Sequence, residues 1–219
     1  MTATPATAVR LRQVPALARP TARVVNWQPL ARVMAAGIVF VLMGGRAGVS
    51  LRLSIAAAAV AAASAFLLDD PAAVTLAASP TSLPVRRLQR VAIATLAVGL
   101  WWVAAASMAT HRAGALPLQG RTLEIGVLTA VAIAVSAAAT MMGDGTAGGI
   151  AGAVFTIACF ATKFLPPRPW LPFPAEPDGP GAILRPLVVL LCAVIVLVWV
   201  SRDPAKRIPH RGPGRSARS

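Results

Sequence analysis

Acidic residues are scarce in this chain. Seven Asp and Glu stand against 21 Lys and Arg, and charged residues together make up only 13% of 219 positions. Six of the acids (Asp69, Asp70, Asp144, Glu176, Asp178 and Asp203) fall outside the apolar stretches, and Glu124 sits at the start of one. None of those stretches carries an Asp, Glu or His at its middle, where a proton- or sodium-coupled carrier or an intramembrane hydrolase would show one. Cysteine and histidine are rare too, with two of each. Cys159 and Cys192 have no CxxC spacing and read as packed thiols in apolar helices. With His111 and His210 distant from them, they cannot supply a metal site. The chain has no GxxxxGK[ST] loop, nucleophile elbow or dinucleotide fingerprint. The reading is of a non-enzyme with no catalytic residues, cofactor or metal; any ATP-driven step needs an ATPase on another polypeptide.

What the chain has in abundance is apolar residues. They make up 57% of it, and mean hydropathy is +0.70. Ordinary globular chains have about 45–50% apolar and about 25% charged residues. Six apolar stretches approach or reach the length of about 18 residues that a helix needs to cross a hydrocarbon core about 30 Å thick. They run over 30–45, 51–68, 91–110, 123–142, 148–164 and 184–200. Each is continuously apolar where a transmembrane β-barrel would alternate. The sixth, PLVVLLCAVIVLVWV, is rich in β-branched residues, which is no bar to helix in lipid because the helix satisfies its own backbone. The expected fold is all-α: a polytopic, six-transmembrane-helix bundle spanning 30–200 between a basic arm (1–29) and a basic tail (201–219).

Orientation follows from the positive residues. Six spans put both termini on one side, together with Arg86, Arg87 and Arg90, for fourteen Lys and Arg in all. The other side holds seven: Arg46, Arg52, Arg112, Arg121, Lys163, Arg168 and Arg185. The bias places both termini in the cytoplasm of a bacterial inner membrane. The arm reads as retained, because no clean small-x-small cleavage site closes the following apolar run. A net charge of +14 raises the question of nucleic acid. The basic residues are dispersed without an aromatic-interleaved patch, so attraction to anionic membrane lipid accounts for them and no nucleic-acid partner is expected.

The connections are more distinctive than the spans. Asp70 before Pro71 forms a helix start, a capping acceptor followed by proline in the first turn. Strong helix formers follow to Ala78, and Pro80 limits the extension. The spacing predicts a helix of about two turns at the membrane surface, with Val74 and Leu76 as its apolar residues. It serves either as a capped connector or as a docking element. PPRPWLPFPAEPDGP, within 165–182, excludes regular helix and predicts an extended cap with Trp170 and Phe173 at the interface. In MMGDGTAGG the glycines allow a tight reversal, and Gly145/Gly149 and Gly148/Gly152 fit a small-xxx-small contact. Ser54, Ser64, Thr95, Ser107, Thr129, Ser136, Thr140 and Thr156 are expected to bond backbone carbonyls or neighbouring helices. Trp101 and Trp102 suit either an apolar solute path or packing near the interface.

The run FLLDDPAAVTLAASPTSLPVRRLQRV, with the later WLPFPAEPDGPGA and SRDPA, resembles a recurrent stretch in actinobacterial ABC-type (ABC-2-like) transporter membrane subunits. The resemblance touches about 40 residues directly, and its motifs carry no chemistry of their own. It implies a permease half that pairs with a second membrane subunit and with a separate ABC ATPase subunit. It also implies that the 70–79 helix is the coupling element, with Asp69, Asp70, Pro71, Val74, Leu76, Ser79, Arg86 and Arg87 as its contact residues. An uncharged pathway suits an amphipathic or apolar solute better than an ion. The alternative is a non-catalytic integral membrane scaffold or assembly partner, with the basic termini as recruiting segments.

Overall fold

The computed structural model describes residues 27–43, 45–68, 83–114, 116, 118–142, 147–165 and 181–200, with backbone alone for 83–87, 142, 181 and 182. Among the described residues six α-helices follow in order: α1 Gln28–Leu42, α2 Val49–Ser64, α3 Leu83–Ala113, α4 Leu118–Met142, α5 Ala147–Ala161 and α6 Gly181–Val200. A tighter 3-10 turn extends α2 through Leu68, and another extends α5 through Phe164. No strand occurs among the described residues. Among the described residues, five stretches are long and apolar enough to cross a membrane: Val49–Leu68, Leu88–Ala113, Leu118–Met141, Ala147–Phe164 and Ile183–Val200. This is the architecture of a multi-pass membrane protein.

The first stretch differs from expectation. α1 has 15 residues, about 22 Å at 1.5 Å per residue, and it stops at Leu42 rather than continuing to Gly45. Met43 is already extended, and the Gly44–Gly45 pair that follows has little helix propensity. Two guanidinium groups close this end. Arg112 donates to the Leu42 carbonyl and Arg52 to that of Gly45, cations set against the negative end of the helix. Gly48 then takes φ of +77°, a left-handed conformation that suits glycine, and α2 begins.

The third helix differs in the opposite sense. It begins at Leu83, not 91, and its 31 residues reach about 46 Å, more than a hydrocarbon core requires. Arg86 and Arg87 therefore lie on its opening turns rather than in a loop. Pro84 at the second position opens it as proline does elsewhere, where no intrahelical N–H bond is lost.

α4 is the hub, packed against α2, α5 and α6, while α1 and α3 lean on α2. Small residues make the close contacts. Ala56, Ala57, Ala61 and Ala63 of α2 are buried, as are Gly148, Gly149 and Gly152 of α5. A Cβ at Gly152 would lie 2.6 Å from the Ala132 carbonyl oxygen and 2.8 Å from Ala65 Cβ, so α5 meets α4 and the end of α2 backbone to backbone. Of the small-xxx-small pairs, Gly148/Gly152 thus lies on a helix contact, while Gly145 falls outside the described residues. Hydroxyls tie the same elements: Ser136 donates to the Ala65 carbonyl at 3.0 Å, and Arg121 reaches Ser54 Oγ and the Ser50 carbonyl, both at 2.6 Å.

The outer faces are apolar at helical spacing: Leu96, Leu100 and Val103 on α3, and Ile150, Val154 and Ile157 on α5. Such continuous apolar faces suit lipid, not water. Only 17% of Ile183–Val200 is buried. Cys192 lies on this exposed helix and Cys159 is half-buried, so of the two thiols expected to be packed, one faces outward; both are free.

Candidate functional site

α3 and α6 stand apart with α4 between them, and their separation leaves an apolar cleft of about 400 Å³. α4 supplies the floor through Ile125, Gly126, Thr129 and Ile133. Val98, Gly99 and Trp102 form one wall; Leu190, Ala193 and Leu197 form the other. Cavities of about 300–1,000 Å³ with mostly apolar walls are typical of small-molecule sites, which also occur between the helices of bundles. The glycines widen this one: a Cβ at Gly99 or at Gly126 would meet no atom within 4 Å.

The polar groups in the cleft are hydroxyls and one indole. Trp102 Nε1 donates to Thr122 Oγ1 at 3.1 Å, and Thr122 in turn donates to the Leu118 carbonyl at 2.9 Å. Thr95 is exposed there, whereas Thr129 is buried and its Oγ1, unpaired, has less than 1 Å² of accessible surface and does not open onto the cleft. Among the described residues, no ionisable side chain lines the cleft. The tandem tryptophans have different surroundings. Trp101 packs in the core, donating to the Met34 carbonyl at 2.9 Å with its ring against Gly37, so it pins α1 to α3. Trp102 lines the cleft.

One acid and one base of the bundle are joined to each other. Lys163 Nζ lies 2.8 Å from both carboxylate oxygens of Glu124 and 5.6 Å from the centre of the Phe160 ring. The sequence placed both charges near an interface, but nothing in it joined two residues 39 positions apart. The opening of α4 and the end of α5 bring them together. Glu124 is nearly buried and Lys163 is about a quarter exposed, so the pair forms a strap between α4 and α5 rather than a free charge along a path.

Most of the residues expected to contact a partner cannot be placed. Asp69, Asp70, Pro71, Val74, Leu76 and Ser79 lie outside the described residues, as do the predicted two-turn helix and most of the proline-rich connection. Arg86 and Arg87 are placed by backbone alone. Among the described residues, no group of three or more His, Cys, Asp or Glu could hold a metal ion. The cleft itself was not legible in the sequence; the nearest signal was the pair Gly99 and Gly126, each interrupting an apolar stretch without a turn around it.

No protein-family model, curated protein or solved structure matches the chain.

Proposed function

We propose that the chain is the membrane-spanning permease subunit of an ABC-type exporter in a bacterial inner membrane, energised by a separate ATPase subunit and moving an amphipathic or apolar solute through the α3–α4–α6 cleft. The observation that carries this reading is the cleft: apolar, lined among the described residues by no ionisable side chain, and bounded by helices that do not close on each other. The resemblance of the 66–91 stretch to ABC-2-like subunits supplies the energy source. In this reading α1 is a sixth span, its short apolar length completed by snorkelling of Arg32 at one end and by the Arg52 and Arg112 guanidinium groups at the other. Both termini are then cytoplasmic, and the 70–79 segment faces the ATPase.

A second reading is favoured by α6. A helix with so little of its length buried offers an apolar face to another membrane protein, as a scaffold or assembly partner would. Purification of the tagged chain from its native membranes in mild detergent, with mass spectrometry of what accompanies it, separates the two. The exporter reading expects a stoichiometric ATPase that is lost when 70–79 is altered, and an Asp70→Ala variant that inserts normally but hydrolyses ATP without transport. A homo-oligomer alone, or a partner with no nucleotide site, would favour the scaffold.

A further inference from the structure

Four helix ends meet at one end of the bundle. Arg112 of α3 donates to the Leu42 carbonyl that closes α1, and Arg121 of α4 donates to the Ser50 carbonyl at the start of α2. The α1–α2 connection therefore lies beside the α3–α4 connection. Arg46, Arg52, His111, Arg112 and Arg121 all stand on these connections or on the helix turns that flank them. Nothing acidic answers them. Glu124 is the single acid among the described residues, and Lys163 holds both of its carboxylate oxygens.

The partners given to Arg52, Arg112 and Arg121 are carbonyls and hydroxyls, which orient a guanidinium without neutralising it. The helix dipoles do not neutralise it either. The C-termini of α1 and α3 and the N-termini of α2 and α4 contribute about half a charge each, and the opposite signs cancel. The four arginines differ in availability. Arg121 is committed to Ser50 and Ser54 of α2. Arg52 is half-buried, with its Nε enclosed. Arg46 and Arg112 are exposed, and a guanidinium has five N–H donors in a fork that matches a phosphate. Apolar surface continues directly from the charges. Val39, Phe40 and Met43 at the end of α1 are exposed, as are Leu51 and Ile55 at the start of α2. Met43 and Leu51 stand on either side of Arg46 in the chain.

We infer that the α1–α2 connection and the end of α3 form a site for one anionic phospholipid. Arg46 and Arg112 hold its phosphodiester, and Arg52 behind them adds positive potential. Its acyl chains lie along the exposed residues of α1 and α2. A free phosphate would use the charges but has no use for the apolar surface beside them. Phosphatidylcholine brings a cation of its own to a place that lacks an anion. The site stands at the far end of α1 from the basic arm, so it is separate from any attraction of that arm for lipid. It is also independent of the exporter reading.

Native mass spectrometry of the intact chain, released from mild detergent, counts bound lipids one at a time. Titrated phosphatidylglycerol should fill one saturable site more tightly than phosphatidylcholine does. Arg46→Gln and Arg112→Gln should each weaken that site about fivefold, and together about 25-fold. Arg185→Gln removes the same charge from α6, which packs against α4 and not against α1, and should leave the affinity unchanged. Circular dichroism checks the fold of each variant. Arg46 is exposed, so Arg46→Gln is decisive even where Arg112→Gln loosens the end of α1. Inorganic phosphate in large excess should not displace the lipid; displacement would make this a free-phosphate site and overturn the lipid assignment. Unchanged affinity in Arg46→Gln and in the double variant overturns the site. So does an equal loss in Arg185→Gln, because binding then follows net charge alone.

Discussion

Gly152→Ala sets two physical effects against each other, and the structure predicts which wins. Alanine in a helix is favoured over glycine by about 1 kcal/mol, so on propensity alone the substitution stabilises α5. At this position, however, the new methyl would lie 2.6 Å from the Ala132 carbonyl oxygen, 2.8 Å from Ala65 Cβ and 3.1 Å from Ser136 Cβ. Two of these atoms are Cβ carbons fixed to backbone and the third is backbone itself, so no rotamer change relieves the overlap. α5 must move away by several tenths of an ångström from α4 and from the end of α2. Overpacking of this kind costs about 1–3 kcal/mol. The shift also strains the Ser136 bond to the Ala65 carbonyl, worth about 1 kcal/mol. The net prediction is a loss of about 1–3 kcal/mol after the propensity gain is subtracted. Gly126→Ala is the control: it has the same propensity gain and no atom within 4 Å of the new methyl. The assay is unfolding of the purified chain in mixed micelles with increasing dodecyl sulfate, followed by circular dichroism. The expected order of stability is Gly126→Ala at or above wild type, with Gly152→Ala clearly below it. If the two alanine variants unfold together, the close-contact argument is wrong and glycine here has another purpose.

Three further outcomes follow in the same assay. Glu124→Gln leaves the Lys163 ammonium without its carboxylate and should cost about 2–4 kcal/mol, at the lower side of the range for a broken buried pair because Lys163 is partly exposed. Pairing that change with Lys163→Met should recover most of the loss; no recovery would mean that the two charges do not act together. Trp101→Phe removes the donor to the Met34 carbonyl and should cost about 1 kcal/mol, with faster proteolysis around α1 as a second readout. Thr129→Val should stabilise the protein by about 1–2 kcal/mol, since it removes an unpaired buried hydroxyl. A loss of stability in this variant would show that the hydroxyl has a partner.

Much of the framework was legible before any coordinates. Continuous apolar stretches locate five crossing helices to within a few residues, because in lipid the backbone leaves helix as the only local solution for such segments. The glycine spacing around Gly148 and Gly152 pointed to a helix contact that is present. Helix ends were read less well, for identifiable reasons. α3 starts eight residues early because a helix can project beyond the membrane on polar sequence, and hydropathy marks only its apolar part. α1 stops early because apolar composition does not distinguish a helical Val or Leu from a Gly–Gly exit. The cleft and the Glu124–Lys163 strap depend on which helices neighbour α4, and that information is not carried by any one segment. Gly99 and Gly126 illustrate the limit: on paper they resemble every other glycine in an apolar stretch, and only the positions of α3 and α6 reveal that nothing fills the space beside them.

The central position of α4 also sets a timetable. A ribosome releases α1, α2 and α3 before α4, so α2 enters the bilayer before most of its polar partners exist. The Ser50 and Ser54 hydroxyls await Arg121, and the Ala65 carbonyl awaits Ser136, all supplied by α4. Until then α2 is a polyalanine-like helix with few large side chains to hold it against its neighbours. A nascent chain arrested after α3 is therefore an incomplete object that membrane chaperones or proteases should recognise. Emergence of α4 is the step that releases it from their attention.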